Sequence, residues 1–337
     1  MTDAAAAASD WHDFVHLALQ ATRRRDVGPP QCDAWARALA AGSLTPAALL
    51  RELLRDHPEP PYDYARDARI TRFRNADVDR LSARLRTERP IDQAHFDTCW
   101  RQRFAELGSG APEQELREYG EFHRRRFLEA IQALAILLED QPRPRVLDCG
   151  ISVFTALYKR LLPKIELATI DRSVDSAHDA FLARASAAAG ATAHATVDWN
   201  DPAAVQADVR AALGEFDLIV FTEVLEHLTV HPVHVLRNLL SLLRPGGVVY
   251  VTTPNRFAAG HLRRIAQRMD PQHVFPYEGN STGAHHFHEY CMADLLAYSA
   301  EAGGEPIAFH FSDCWDPEPV EPEDERSNMV AVIRRPR

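Results

Sequence analysis

Four apolar runs in the second half of the chain end on acidic residues: Asp148, Asp171, Asp198 and Glu223. In open α/β sheets, ligands bind at the carboxyl ends of the strands, so acids at these positions can face one site. Asp171 comes 21 positions after Gly150, a spacing suited to an acid that accepts the ribose hydroxyls of an adenosine. One strand-end aspartate alone would be interpreted as a helix cap, but four on successive strands predict a cofactor site.

The turn after the first run, in VLDCGISVF over 146–154, holds a single glycine. Ser152 and Phe154 stand where nucleotide-binding loops usually carry further glycines. A dinucleotide needs those glycines because its pyrophosphate approaches the backbone closely. Their absence argues against NAD more than against a cofactor without phosphate.

Histidines and carboxylates follow in two places, Glu223-x-x-Glu226-His227 and the segment HHFHEY over 285–290. The first spacing predicts that its three side chains lie within one helical turn at the mouth of the pocket. Histidine is the commonest general base, so His227 and His286 are candidate catalytic residues, with Glu223 beside them. For each residue singly, a structural role is the alternative.

These residues need a scaffold that brings them together. Apolar runs occupy 145–149, 165–171, 193–198, 216–222, 247–253, 305–311 and 329–335, and helical stretches separate the early ones. Strands that alternate with helices predict a mainly parallel sheet covered on both faces. The expected fold class is α/β: a seven-stranded, mainly parallel, doubly wound Rossmann-like sheet whose last two strands form an antiparallel hairpin.

The first part of the chain predicts a separate, small all-α domain over 1–60. One helix is expected to begin at Thr45-Pro46, with threonine as N-cap and proline in the first turn. Residues 61–113 are charged and proline-containing and predict a linker or helical connection. The catalytic domain is expected over 114–337, with an insertion at 255–290 that forms a lid over the acceptor.

Bulk properties exclude several classes of protein. A net charge of -10 provides no global basic field for a nucleic-acid partner. Five scattered cysteines without C-x-x-C spacing argue against disulfides and structural zinc and fit a reducing cytoplasm. No run approaches the roughly 20 apolar residues of a spanning helix, and the basic start of a signal peptide is missing. We therefore expect a cytoplasmic protein with no transmembrane segment.

Five segments resemble class I S-adenosylmethionine-dependent methyltransferases in order and spacing: RVLDCG, IELATIDRS, ATVDWND, FDLIVFTEVLEHL and LLRPGGVVYVTTPN. The family binds S-adenosyl-L-methionine, which contains no phosphate. The resemblance implies these cofactor-binding residues: Asp148 and Gly150 beside the methionine part, Asp171 at the ribose, Asp198 and Trp199 at the adenine, and Thr222 with Glu223 closing the pocket.

The later motifs resemble a narrower group, bacterial methyltransferases encoded with surface-polysaccharide assembly enzymes. TPN, an arginine-containing insertion and H-x-x-E-Y carry this resemblance, and His286, Glu289 and Tyr290 match the last motif. The E-x-x-E-H motif with a distant histidine also resembles the set by which small-RNA terminal 2′-O-methyltransferases hold a divalent ion. That resemblance implies a Mg²⁺ or Mn²⁺ site at Glu223, Glu226, His227 and His286, which we treat as the lesser alternative to a metal-free site.

Residues 14–59 resemble a small helical domain of unknown function found in bacterial surface proteins and beside sugar-transfer enzymes. An R-x-D-x-x-x-P turn, Trp35, an A-x-G-x-L-T break and a closing P-E carry the resemblance. It implies a glycan context and contacts with glycan-assembly enzymes. Trp35 itself is expected in the core rather than as a sugar platform.

Together these patterns predict an enzyme that O-methylates a sugar hydroxyl on a nucleotide sugar or a surface polysaccharide. Two alternatives stay open. One is O- or N-methylation of a small secondary metabolite. The other is a non-catalytic binding or scaffold protein that carries a degenerate methyltransferase domain.

Overall fold

The computed structural model describes residues 11–16, 18–19, 29–55, 64–106, 111–152, 154–172, 176–203, 205, 207–271, 286–316, 318 and 320–337. It divides the chain into two compact units, Met1–Asp67 and Ala68–Arg337. Three predicted features lie wholly or mostly outside the described residues: the R-x-D-x-x-x-P turn at 24–30, His285, and positions 272–285 of the lid.

The first unit is helical, as expected. Residues 11–16 and 18–19 are helical, followed by α1 (Pro29–Ala40), α2 (Pro46–Arg55) and a 3₁₀ turn (Tyr64–Arg66). Thr45 Oγ1 accepts a hydrogen bond from the amide of Ala48 at 3.2 Å, which confirms the predicted N-cap of α2. Trp35 is half-buried and packs against the apolar core formed by Val15, Ala18, Leu19, Cys32, Ala36, Leu39, Leu49 and Leu53.

The second unit contains one seven-stranded sheet in the order β3-β2-β1-β4-β5-β7-β6. Strands β1 to β5 pair in parallel, and β7 lies antiparallel between β5 and β6. This arrangement confirms the predicted fold class. The strands are β1 (Arg145–Cys149), β2 (Glu166–Asp171), β3 (Ala193–Thr196), β4 (Phe216–Thr222), β5 (Leu243–Pro254), β6 (Glu305–Ser312) and β7 (Asn328–Arg334).

Helices cover this sheet. They are α3 (Ala68–Thr71), α4 (Ala76–Thr87), α5 (Gln93–Glu106), α6 (Ala111–Leu137), α7 (Ala156–Leu161), α8 (Ser176–Ala188), α9 (Ala207–Leu213), α10 (Pro232–Leu242), α11 (Ala259–Ala266) and α12 (Met292–Glu301). Two 3₁₀ turns span Leu225–His227 and Glu323–Glu325. The apolar side chains of Phe127, Ile131 and Leu134 on the long helix α6 are buried, as is Leu138 just after it.

Two strand boundaries differ from the sequence prediction by more than one residue. β3 ends at Thr196 rather than at 198, because Asp198 leaves the sheet and its Oδ1 accepts the amide of Asn200 at 3.0 Å. β5 begins at Leu243 rather than at 247, since Leu243 already pairs with Phe216 across a register shift.

The segment expected to be a linker, 61–113, is largely helical where it is described. Its helices α3 to α5 belong to the second unit, and the amide of Phe309 in β6 donates to Ser82 Oγ of α4 at 2.9 Å. The domain boundaries at 60 and 113 stay predictions. None of the helices in the described part of the chain has the length and apolar character needed to cross a membrane.

Candidate active site

The turn after β1 is built on a residue in the left-handed region. Gly150 has φ 87°, and a Cβ there would lie 3.2 Å from Cγ2 of Val224. Its amide donates to the carbonyl of Ile170 at 3.0 Å, which ties the turn to β2. The backbone therefore passes close to the end of β4, where a side chain would crowd the turn.

Asp148 is buried at the end of β1. The Thr155 hydroxyl donates to its Oδ2 at 2.7 Å. Burial raises the pKa of Asp148 to about 7, although the Thr155 hydrogen bond opposes this shift. The side chain thus changes charge near neutral pH.

Phe154, one of the residues that stand where glycine was expected, turns away from the site. Its ring is fully buried and stacks on Trp100 with centroids 4.6 Å apart, and it also packs on Phe127 at 5.0 Å. Ser152 stays within the turn, where its hydroxyl accepts the amide of Phe154 at 3.1 Å. The two non-glycine residues therefore stabilise the turn instead of filling the pocket.

Asp171, the predicted ribose ligand, accepts hydrogen bonds from backbone amides, one of them in the same turn. Its Oδ2 accepts the amide of Ile151 at 2.6 Å, and its Oδ1 accepts the amide of Arg172 at 2.6 Å. Burial raises its pKa despite these two hydrogen bonds. Each carboxylate oxygen has a second lone pair, so both can accept a ribose hydroxyl.

At the end of β3, the two residues predicted to bind adenine lie in different environments. Asp198 is exposed and is engaged in its turn with Asn200. Trp199 is buried, and its ring meets Phe221 edge to face with centroids 5.7 Å apart. Trp199 thus supplies an apolar wall beside the end of β4.

The residues after β4 correct one expectation. Thr222 ends β4 opposite Thr252, and Glu223 follows it with φ 55°. The helical turn contains only Leu225–His227, because the left-handed backbone of Glu223 keeps this residue out of it. Glu223 was therefore wrongly expected in one turn with Glu226 and His227.

Glu223 instead faces β5 and β7. Its Oε1 accepts the Thr252 hydroxyl at 2.5 Å and the Asn328 side-chain amide at 3.0 Å. Its backbone amide donates to the carbonyl of Thr252 at 3.0 Å. The carboxylate is thus fixed by residues far from it in sequence.

Glu226, His227 and His286 do come together, with one potential ligand atom of each within 4.8 Å of the others. The carbonyl of Glu226 accepts the amide of Phe287 at 2.7 Å, which holds the 286–290 segment against the turn after β4. The rings of His227 and His286 lie edge to face with centroids 5.0 Å apart. The two imidazoles are therefore neighbours at the carboxyl edge of the sheet.

Glu226 is fully buried. Its Oε2 accepts the Thr253 hydroxyl at 2.9 Å, whereas its Oε1 has no hydrogen-bond partner and lies 3.8 Å from Nε2 of His227. Burial, and next the charge of Glu223, raise the pKa of Glu226 well above its usual range. The burial of this carboxyl and the nearby charge of Glu223 thus favour the neutral form of Glu226.

Glu289 supports the second histidine. Its Oε1 lies 2.7 Å from Nδ1 of His286, and its Oε2 lies 3.1 Å from Nδ1 of His261 in α11. Since Glu289 is almost completely buried, this carboxylate fixes the orientation of His286. One carboxylate thereby contacts a histidine near the start of the insertion and another near its end.

Sequence reasoning missed three residues of this region: Arg126, Thr252 and Asn328. Asn328 gives no local signal, since only the fold brings β7 to Glu223. Arg126 does give one, because it falls on the apolar face of α6, four residues before buried Ala130. A basic residue within an apolar stripe indicates a buried charge with a partner to find.

The described residues fit a cofactor with a nucleoside and an amino-acid end and no phosphate. A half-buried acid stands at the end of β2, one glycine shapes the first turn, an aromatic wall follows β3, and Arg126 Nε is buried without a hydrogen-bond partner.

The family model of a methyltransferase domain matches residues 119–296, more than half of the 337 residues. The chain belongs to this family. It is a class I S-adenosylmethionine-dependent methyltransferase. The match begins within α6 and ends within α12, so it includes all the predicted site residues.

Solved methyltransferase structures resemble this methyltransferase only distantly. The N-methyltransferase NodS from Bradyrhizobium japonicum, in complex with S-adenosyl-L-homocysteine, is 16% identical, with TM-score 0.40, covering 78% of this chain and 100% of its own. A possible histamine N-methyltransferase from Thermotoga maritima is 17% identical, with TM-score 0.42 and coverages of 66% and 95%. Magnesium protoporphyrin IX methyltransferase from Synechocystis is 14% identical, with TM-score 0.43 and coverages of 72% and 97%. No curated protein matches the chain.

Proposed function

We propose that this methyltransferase O-methylates a sugar hydroxyl, on a nucleotide sugar or a growing surface polysaccharide, with His227 and His286 removing the hydroxyl proton. The proposal is supported by the paired imidazoles, 5.0 Å apart between ring centroids. The resemblance of TPN and H-x-x-E-Y to polysaccharide-associated methyltransferases supports the sugar acceptor. The helical domain over 14–59, with its resemblance to domains beside sugar-transfer enzymes, supports contacts with glycan-assembly enzymes.

The hydrogen bond between His286 and Glu289 indicates a base. A carboxylate only accepts, so Nδ1 of His286 carries the proton in this 2.7 Å bond. Its Nε2 then holds a lone pair that can take a proton from an acceptor. A hydroxyl needs such a base, whereas a neutral amine is already nucleophilic, so this pair favours O-methylation.

The remaining residues would bind and orient the two substrates. S-adenosylmethionine supplies a methyl group activated on a sulfonium. Asp171 would hold the ribose, Asp148 and Gly150 the amino-acid end, and Asp198 with Trp199 the adenine. Thr222 and Glu223 would close the pocket, where positioning of the acceptor oxygen supplies much of the rate.

The catalytic assignment is tested with His227→Ala and His286→Ala. Each is expected to lower kcat by about 100-fold or more, as general-base loss does, while calorimetry shows unchanged affinity for S-adenosylhomocysteine. His288→Ala is the matched control, since His288 lies in the same segment and packs on Tyr290. Full activity in both His227 and His286 variants would refute the roles.

The acceptor is tested by measuring methyl transfer to a panel of nucleotide sugars, polysaccharide fragments and small amines and phenols. We expect turnover with a sugar hydroxyl and identify the methylated oxygen by mass spectrometry and NMR. Turnover with amines alone would refute O-methylation of a sugar.

One observation favours a second candidate, in which Glu226, His227 and His286 hold a divalent ion rather than move a proton. Their ligand atoms converge within 4.8 Å, and Glu226 Oε1 has no hydrogen-bond partner. Glu223, the fourth member of the expected set, is bonded to Thr252 and Asn328 instead. Activity that survives a chelator supports the histidine base, whereas a strict Mn²⁺ requirement supports the ion.

A further inference from the structure

Arg126 is the one arginine or lysine that is buried among the described residues, with 6% of its surface exposed. It lies on the long helix α6 between exposed Arg125 and buried Phe127. A guanidinium out of water is stable only with hydrogen bonds and an opposite charge, because its desolvation is costly. Its surroundings therefore indicate what it binds.

Those surroundings leave the guanidinium incompletely paired. Its Nη2 donates to the Tyr119 hydroxyl at 3.1 Å, and its carbon lies 5.0 Å from the centroid of the Phe127 ring. Its Nε has no hydrogen-bond partner. Within the described part of the chain, no carboxylate forms an ion pair with it.

The guanidinium nevertheless belongs to the carboxyl edge of the sheet. It acts electrostatically on Glu223 and on Asp148, which stand at the ends of β4 and β1. The helix that carries it lies against the first turn, since a Cβ on Gly120 would come within 2.2 Å of the Phe154 ring. Arg126 thus lies within electrostatic reach of the acids beside the turn at which the amino-acid end of the cofactor would bind.

The charges of that end match this environment. The methionine part of S-adenosylmethionine carries an ammonium and a carboxylate. The acids Asp148 and Glu223 can attract the ammonium, but a carboxylate among them would be repelled. Arginine binds carboxylates through two parallel N–H donors, and Arg126 is the buried cation in reach.

We propose that Arg126 binds the carboxylate of the methionine part of S-adenosylmethionine. The Tyr119 hydrogen bond holds one arm of the guanidinium, which leaves Nε and the other arm for the ligand. This inference rests on the cofactor of the family and is independent of the acceptor proposed above.

The test compares two ligands that differ only in the carboxylate, S-adenosylmethionine and decarboxylated S-adenosylmethionine, by calorimetry. In Arg126→Gln, affinity for S-adenosylmethionine is expected to fall about 10- to 100-fold, the range of a lost charged hydrogen bond. Affinity for the decarboxylated ligand should stay the same. Arg126→Lys keeps the charge and should retain part of the difference.

Arg124→Gln is the matched control, because Arg124 is half-buried on the same helix and pairs with Asp97 at 2.6 Å. It should bind both ligands as the unaltered protein does. Tyr119→Phe removes only the hydrogen bond to the guanidinium at a 43% exposed residue, so it gives a folded second variant with a smaller loss for S-adenosylmethionine alone.

Equal losses for both ligands in Arg126→Gln, or no loss for either, would overturn the proposal. If Arg126→Gln does not fold, the affinities of Tyr119→Phe and Arg126→Lys for the two ligands test the proposal instead. An unchanged preference for the carboxylated ligand in both would likewise overturn it.

Discussion

Asp148→Asn should make the ligand-free protein more stable, increasingly so as the pH rises. The carboxyl has its ordinary pKa of 3.8 in the unfolded chain and a pKa of about 7 in the fold, because it is buried. Between these values the folded state keeps a proton that the unfolded state has lost. Stability therefore falls as the pH rises through this window, and the loss is complete above the folded pKa.

Each pH unit inside the window corresponds to about 1.4 kcal/mol of unfolding free energy. From about pH 5 to about pH 7 the Asp148 carboxyl thus lowers the free energy of unfolding by about 2 to 3 kcal/mol. Asparagine does not ionise and causes no such loss. The Thr155 hydroxyl can still donate to the asparagine oxygen, so the packing is kept. The gain in stability from Asp148→Asn should grow by this amount over the same interval.

Urea unfolding of both proteins at a series of pH values measures this difference directly, since the two proteins share every other titratable group. Thr155→Val removes the hydrogen bond that favours the charged carboxylate, so it should move the window to higher pH. A difference between Asp148→Asn and the unaltered protein that does not change with pH would refute the reasoning.

Three further outcomes follow from packing and hydrogen bonding. Gly120→Ala should destabilise the fold by about 1 to 3 kcal/mol, because its Cβ would come within 2.2 Å of the Phe154 ring; thermal unfolding measures this. Ser82→Ala should cost about 1 to 3 kcal/mol, since it leaves the buried amide of Phe309 without its acceptor. A chain of residues 68–337 should bind S-adenosylhomocysteine as the full chain does, because that unit contains every predicted cofactor residue, and calorimetry checks this.

Each of these outcomes has a control. Gly260→Ala meets only the end of Arg263, at 3.9 Å, so it should not destabilise, and equal effects at both glycines would contradict the packing argument. Ser82→Cys keeps a weak acceptor and should cost less than Ser82→Ala. Loss of binding by the shortened chain would show that the first 67 residues contribute to the cofactor site.

The sheet could be predicted from the sequence because its signals are local. Apolar runs separated by helices define parallel strands, and parallel strands bring Asp148, Asp171 and Glu223 to one edge. The orientation of Glu223 could not be predicted in this way. Its left-handed backbone and its hydrogen bond to Asn328, 105 positions later, depend on the finished fold.

The same limit applies to the histidines. The motifs predict catalytic roles for His227 and His286, but the hydrogen bonds that hold them side by side, from the amides of Phe287 and His288 to the Glu226 carbonyl, depend on the finished fold. Arg126 shows the reverse case, in which a local signal was present. Its position on the apolar face of α6 indicates burial, yet its sequence does not reveal which charges it meets.

The two ends of the insertion after β5 lie side by side and are joined by backbone contacts. Asn255 bridges to Tyr290, and the amide of Arg256 donates to the Tyr290 carbonyl at 2.9 Å. Because both ends are held together, changing the length between them alters closure entropy only slowly. The segment between these contacts can therefore change in length while the contacts and His286 stay in place.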